Sequence, residues 1–150
     1  RNFFKISNEY RKYLPIFRRG VFAFRIKSGY IYNLDNDTVL PDYFLFELGG
    51  QSSLRGWATP TSFSDPKIKF ELLNFEYRFP IYKKWGAELF YDIGSLTNST
   101  KITSYDFKTN YGLGITYDTA IGPIRIEYAM PTTSSWNSNE TFHASILYMF

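Results

Sequence analysis

One loop of this sequence holds an arginine among small, flexible residues. Residues 48–57 lie between two strand-like segments and place Arg55 before a glycine. Downstream, Glu76 and Asp92 occupy segments of alternating polarity, on the polar side that would face inward. A buried guanidinium needs anionic partners, and its planar fork binds carboxylates in a way that lysine cannot reproduce. These residues predict a loop held inside a wall by charge pairs, with a solvated loop arginine as the alternative.

Glycines accompany this arginine in the loop and in the segments that follow. Gly49, Gly50 and Gly56 would let the loop backbone turn tightly and approach the wall closely. Other glycines lie on the inward side of later segments, where they leave room for an inserted loop or allow a strand to bend: Gly94, Gly112 and Gly114. The last two do not indicate a nucleotide site, because no helix follows them.

Catalytic and metal chemistry has little support in the sequence. The chain has no cysteine and one histidine, His143, which excludes thiolate sites and sites built from several histidines. No G-x-S-x-G or H-E-x-x-H motif occurs. Glu76 and Asp92 are explained more economically as partners of an arginine than as an acid–base pair. We therefore expect no enzyme, no cofactor and no metal ion.

Aromatic residues are unusually frequent in this chain. They make up 21% of its 150 residues, a length sufficient for one domain with a sizeable core. Membrane barrels place such rings at both lipid–water interfaces, where we expect Trp57, Trp85 and Trp136. The formal charge of +3 comes from dispersed Lys and Arg, so we expect no nucleic-acid partner. No apolar run is long enough for a transmembrane helix, and residues 1–10 lack the apolar core of a signal peptide.

Period-two alternation of polarity recurs along the chain, whereas helical periodicity does not. One side of each segment is apolar or aromatic, and the other is polar or glycine. About seven segments follow this pattern, the first of them least clearly: residues 2–13, 22–32, 73–79, 85–94, 107–118, 124–128 and 141–150. Most would form strands of about 9–12 residues, the length that crosses a bilayer when tilted. The sequence therefore predicts an all-β chain that spans a membrane.

The connections between these segments alternate in length. Short turns are predicted at residues 14–19, 80–84 and 119–123, and long polar loops at 34–67, 95–106 and 131–140. Short turns at one end and long loops at the other are typical of outer-membrane barrels. We therefore predict one transmembrane antiparallel β-barrel domain over residues 1–150, with a long inserted loop at about 34–67.

Five motifs, in order, resemble the outer-membrane assembly and translocation barrels, the bacterial surface antigen superfamily of BamA, TamA and the two-partner secretion transporters. Residues 54–57, with 48–50 before them, are similar to the tip of the family's sixth extracellular loop, (V/L)RG(F/Y/W). Residues 74–80 resemble its N-x-E-Y-R-F-P strand, and residues 90–94 its F-x-D-x-G strand. Residues 112–129 are similar to the penultimate hairpin. The resemblance implies that Arg55 and Gly56 at the loop tip, with Glu76 and Asp92 on the wall, form a loop lock.

The resemblance also implies that the chain is the C-terminal part of a larger barrel. The family barrel has sixteen strands, and alignment from the C-terminus leaves the last seven to this chain. An odd number of strands and an external N-terminus do not suit a closed bacterial barrel, and an open sheet would leave lipid-facing edges unpaired. We expect other residues of the same protein, or another chain, to complete the barrel.

The C-terminus resembles the family's barrel-targeting signal. His143, Tyr148 and Phe150 follow its order of polar and aromatic residues, although Ser145 stands where glycine is usual. A last strand with lipid-facing rings explains the same residues. The resemblance further implies that the seam between first and last strands is weak and serves as a gate, with residues 141–150 on one side.

The function implied by the resemblance is outer-membrane protein assembly or translocation, in which the barrel inserts or passes polypeptides without nucleotide. One alternative is a membrane anchor for a fused passenger, such as a patatin-type lipase. Another is a small structural or adhesive barrel. The partners expected are the lipid bilayer, polypeptide substrates, and a second copy or the rest of the barrel, at the bacterial outer membrane.

Overall fold

The structure is a computed structural model with one antiparallel sheet. It describes residues 2–17, 19–34, 40–57, 67–99, 105–132 and 141–146. Seven strands follow one another in the sheet in chain order. Their bounds are β1 Phe3–Ile16, β2 Gly20–Asn33, β3 Lys69–Tyr82, β4 Trp85–Thr97, β5 Phe107–Thr119, β6 Gly122–Pro131 and β7 Thr141–Ile146. Asp42–Phe44 forms a short 3-10 turn, and no helix of the described residues is long and apolar enough to span a membrane.

The sheet buries polar side chains on one face and exposes apolar side chains on the other. We call the first the inward face and the second the outward face. Glu76 and Asp92 are 1% and 0% exposed, whereas Leu113 and Ile115 are 49% and 48% exposed. A sheet of a water-soluble protein has the opposite arrangement, because exposing apolar surface to water is unfavourable. The inverted polarity fits strands of a transmembrane barrel, whose outer face contacts lipid.

Several strands are longer than the alternation of polarity indicates. β1 extends to Ile16 because it continues to pair with β2 as far as Gly20, which confines the first turn to residues 17–19. β3 likewise continues past a register shift near Pro80 and leaves residues 83–84 as the turn. Pairing across each hairpin supplies backbone hydrogen bonds beyond the part of the strand where polarity alternates.

The sheet is not closed in the part of the chain that the structure describes. There, β1 pairs with β2 alone and β7 pairs with β6 alone. The all-β fold and the open, partial barrel are as the sequence predicted. The three short connections, β1–β2, β3–β4 and β5–β6, join strands at one end of the sheet, and the long connections join them at the other. Tyr148, Phe150 and Trp136 fall outside the described residues, and only the backbone pairing of His143 is described.

Candidate functional site

The long connection between β2 and β3 folds back against the inward face. A pair of backbone hydrogen bonds, Phe46 N to Lys67 O at 2.8 Å and Lys67 N to Phe46 O at 2.9 Å, closes its base. Gly49 and Gly50 have φ of 123° and 81°, a region that other residues rarely adopt. The Gly50 N–H donates to the Trp57 carbonyl at 2.6 Å. Residues 50–57 therefore form a closed turn, which we call the arginine turn.

Apolar packing seats the arginine turn on the wall. Leu54 is completely buried in a cluster with Leu48, Phe70, Leu72 and Leu96. A side chain at position 94 would meet Leu54 at 2.6 Å, so glycine there leaves the room that the inserted loop needs. Trp57 packs against the same cluster and its Nε1 donates to the Thr109 carbonyl at 3.3 Å. Our expectation that Trp57 anchors at a lipid interface is therefore wrong.

The guanidinium of Arg55 contacts three carboxylates. Its Nε and Nη2 donate to the two oxygens of Asp92 at 3.0 and 2.8 Å, a bidentate pair. Its Nη1 donates to Glu76 at 2.9 Å and to Glu127 at 2.8 Å. The guanidinium lies 3.6 Å from the centre of the Phe90 ring, and the residue is 2% exposed. Both edges of its planar fork are therefore occupied by acids, with an aromatic ring against its face.

The charge of Arg55 is stabilised by these acids. Burial alone would lower the pKa of Arg55, because the charged form loses its hydration. The negative charges of Asp92, Glu76 and Glu127 outweigh burial and raise the pKa above its usual range. The guanidinium therefore stays protonated at all pH values relevant to the protein.

Asn74, Asn110 and Arg25 hold Asp92 and the backbone of the loop. Asn74 and Asn110 donate to Asp92 at 2.7 and 2.9 Å, and Asn74 also donates to the Ser53 carbonyl at 2.8 Å. Arg25 donates to the oxygen of Asn74 at 2.9 and 2.7 Å and to the Ser52 carbonyl at 2.7 Å. Side chains of β2 and β3 therefore hold the backbone of the arginine turn directly, and Asn110 of β5 holds Asp92.

More charged side chains lie on the inward face between this site and the short turns. Arg125 lies 3.3 Å from Glu76, 3.1 Å from Glu88 and 3.4 Å from Glu127. Arg78 donates to Glu76 as well. Side-chain oxygens of these three glutamates lie within 4.8 Å of one another and could supply carboxylate ligands to a cation. Because guanidinium groups already approach all three, positive charge is present without a metal ion.

The structure brings the sequence-predicted residues of the loop and wall together. Arg55 contacts both Glu76 and Asp92. Gly56 is buried beside Asn110, and Gly49 and Gly50 form the bend that precedes the arginine turn. Of the targeting residues, His143 is described only by its backbone pairing with Glu127, and Tyr148 and Phe150 lie outside the described residues. The role of the loop and wall residues as a functional lock stays a prediction.

Sequence reasoning missed Glu127, Asn74, Asn110 and Phe90 as partners. A signal existed for Glu127, because alternation along β6 places it on the inward side, opposite Ile126. The register explains how it reaches the site: Glu88, Gly114 and Glu127 form one row across three strands. Glycine in the middle of this row lets the two glutamates approach each other, and a side chain there would meet Glu88 at 2.5 Å.

A substitution at Gly56 should unseat the arginine turn. In Gly56→Ala the new Cβ would lie 2.4 Å from Cβ of Asn110, which is itself held by Asp92, so the turn has to move. We expect a loss of about 1–3 kcal/mol in the free energy of unfolding, the range for overpacking a filled site. The midpoint of urea unfolding in detergent micelles measures it.

Gly86→Ala is the matched control for this substitution. Its Cβ would lie 2.6 Å from the Thr116 hydroxyl, a group that can rotate away, and 3.3 Å from the Phe79 carbonyl. We expect the control to lose less stability than Gly56→Ala. Equal losses of stability would show that the close contact of Gly56 with the wall does not hold the arginine turn in place.

Comparisons with known proteins identify the family and the fold of this chain. The family model described as the Omp85 superfamily domain matches residues 1–148. The fold is similar to that of BamA from Haemophilus ducreyi, solved without POTRA domains 1–3, with a TM-score of 0.72 at 18% identity. The match covers 93% of this chain and 34% of that one, so the chain spans about a third of that protein's solved length. At this identity the likeness shows the fold.

Proposed function

This chain belongs to the Omp85 superfamily, and we propose that it is part of an outer-membrane barrel that inserts or passes polypeptides without nucleotide. The observation that carries the proposal is the arginine turn, which is seated in the barrel wall by Arg55 and its three acids. We propose that Arg55, Gly56, Glu76 and Asp92 form the loop lock that this function requires.

The fixed loop gives the inward wall a defined shape. It covers the upper part of β3 and β4 with apolar residues around Leu54, and it presents backbone carbonyls to Arg25 and Asn74. Polypeptide in the lumen would therefore meet a fixed loop surface on this side of the wall. The acids of the lock are bound by guanidinium groups, which supports a function without acid–base catalysis.

The outward face supports residence in the bacterial outer membrane. Along β5 and β6, outward side chains such as Leu113, Ile115 and Ile126 are each nearly half exposed in the isolated chain. Lipid would cover this surface without leaving backbone polar groups unpaired, because their hydrogen bonds are made within the sheet. We propose that the chain lies in the outer membrane, with its short turns toward the periplasm.

The rest of the barrel has to come from outside this sheet. An open edge in a bilayer leaves N–H and C=O groups without partners, each at a cost of several kcal/mol. We propose that the chain is the C-terminal part of a barrel completed by other residues or by a second copy. In that arrangement His143, Tyr148 and Phe150 belong to the C-terminal targeting signal, and β7 borders the gate.

The proposed function can be tested with the complete natural protein in lipid vesicles. An unfolded outer-membrane barrel polypeptide is added, and its folded fraction is measured by heat-modifiable mobility and its passage by protection from protease. We expect faster folding or greater passage than in empty vesicles. Rates equal to those of empty vesicles would contradict the proposal and favour a passenger anchor or a structural barrel.

A further inference from the structure

The connecting sequences at the two ends of the sheet differ in charge. The long connections, residues 34–68, 98–106 and 132–140, hold seven acidic and three basic residues, and one of the basic residues is the bound Arg55. The connecting turns 17–19, 83–84 and 120–121 hold four basic residues and no acid. We call Arg19, Lys83 and Lys84, the three of these that the structure describes, the basic rim. All three are exposed.

Apolar side chains stand beside the basic rim. Phe17 is 86% exposed, Ile121 is 71% exposed and Tyr82 is 63% exposed. Trp85 follows the two lysines directly, and its ring lies 4.8 Å from that of Tyr117 on the outward face. These rings and aliphatic side chains are continuous with the outward apolar surface, whereas Arg19 and Lys83 also border a cavity on the inward side that Asp118 and Arg125 line. A site for a soluble acidic partner needs the charge and does not need this continuity.

The length of the outward apolar column places the rim at a membrane boundary. Along β4 the column begins at Trp85, ends at Ile93 and gives way to Ser95. Eight residue steps cover about 27 Å along the strand, or about 21 Å in height at a tilt of about 40°, close to the ~25 Å apolar band of such barrels. Lys83 and Lys84 therefore lie just beyond the hydrocarbon, at the level of lipid headgroups.

We propose that the basic rim binds the headgroups of anionic phospholipids in the leaflet at the short-turn end. Basic side chains next to a membrane surface are attracted to anionic lipid, and the neighbouring rings insert at the interface. The long connections, whose sequences hold more acidic than basic residues, would not be attracted in this way, so the rim also favours one orientation. This inference rests on the proposed membrane residence, and its test separates the two.

The test uses lipid quenching of a fluorophore placed at the rim. The chain itself has no cysteine, so Ile121→Cys in a cysteine-free form of the complete protein carries a single bimane label. The protein is reconstituted in phosphatidylcholine vesicles that contain brominated phosphatidylglycerol or brominated phosphatidylcholine. We expect the anionic lipid to reach half-maximal quenching at a mole fraction about fivefold lower, the ratio for one basic residue near an anionic surface. High salt should reduce the difference.

Two rim variants identify the cause of the preference. Arg19→Gln with Lys83→Gln and Lys84→Gln should abolish it, whereas Arg19→Lys with Lys83→Arg and Lys84→Arg keeps the charge and should retain it. Equal quenching by both lipids in the unmodified rim would overturn the proposal. A rim label shielded from both lipids would also overturn it, because another protein domain would then cover the rim.

A second label separates this outcome from failure of membrane residence. Leu113→Cys places bimane in the middle of the outward face, on a strand away from the basic turns. Both brominated lipids should quench it equally if the barrel lies in the bilayer. If neither lipid quenches it, membrane residence itself is wrong, and the rim proposal fails with it.

Discussion

Arg55→Ala is expected to release the arginine turn from the wall and to destabilise the barrel by about 3–5 kcal/mol, the range for removing one partner of a buried ion pair. Stability is lost because the acids that contact Arg55 stay buried after the guanidinium is removed. Asp92, Glu76 and Glu127 are at most 2% exposed, and each loses its contact with the Arg55 guanidinium. Arg125 still lies near Glu76 and Glu127, so the largest uncompensated charge is that of Asp92. The free energy of unfolding in urea, followed by tryptophan fluorescence in micelles, measures the loss.

Arg55→Lys tests whether charge alone is sufficient. Lysine keeps a positive charge but cannot form the bidentate pair with Asp92 while also reaching Glu76 and Glu127. We therefore expect Arg55→Lys to show a large part of the loss in the free energy of unfolding that Arg55→Ala causes. Arg11→Ala is the matched control, because Arg11 also pairs with an acid, Glu9, but its side chain is 43% exposed. An exposed ion pair contributes about 0–1 kcal/mol to stability. Equal losses in Arg55→Ala and Arg11→Ala would therefore contradict the loop lock.

The fold was largely predictable because its determinants are local. Alternation in β4 and β5 assigns each side chain to a face without any knowledge of the partner strands. Strand ends were less predictable, since they depend on pairing across the hairpin. Pro15 and Ile16 have no alternating pattern of their own, yet they lie in β1 because Val21 and Gly20 pair with them.

The site was predictable only in part, because its contacts depend on register and depth. Among the residues that the structure describes, four buried acids face inward: Glu76, Glu88, Asp92 and Glu127. Periodicity gives the face of each acid, whereas the distance to Arg55 depends on how far each strand is shifted against its neighbours. Glu127 lies 72 residues from Arg55 and two strands beyond Asp92, and it reaches the guanidinium across positions occupied by glycine.

Trp57 shows a different limit of sequence reasoning. Composition indicates that rings are abundant, and membrane barrels use rings at interfaces. The same ring can instead cover a buried loop, and the choice depends on where the loop goes. Trp57 lies at the end of the arginine turn. The hydrogen bond from the Gly50 N–H to the Trp57 carbonyl holds Trp57 on the inward face of the sheet.

Asp92 should be the wall residue that is most sensitive to loss of charge. It is completely buried and accepts hydrogen bonds from five donors: Arg55 N at 3.3 Å, Nε at 3.0 Å and Nη2 at 2.8 Å, Asn74 at 2.7 Å and Asn110 at 2.9 Å. Asp92→Asn keeps the shape but turns an oxygen into an amide nitrogen. Its hydrogens would face groups that are themselves donors, and no acceptor replaces the lost oxygen.

We expect Asp92→Asn to reduce the free energy of unfolding by about 3 kcal/mol, since a charged acceptor of a buried network is lost. Asp106→Asn, at an exposed site, is the matched control and should be nearly neutral. Because Arg55 and Asp92 act on each other, the double variant should lose less than the two single losses combined, by at least about 1 kcal/mol. Strictly additive losses in this cycle would mean that the two residues stabilise the barrel independently, and the loop lock would then be wrong.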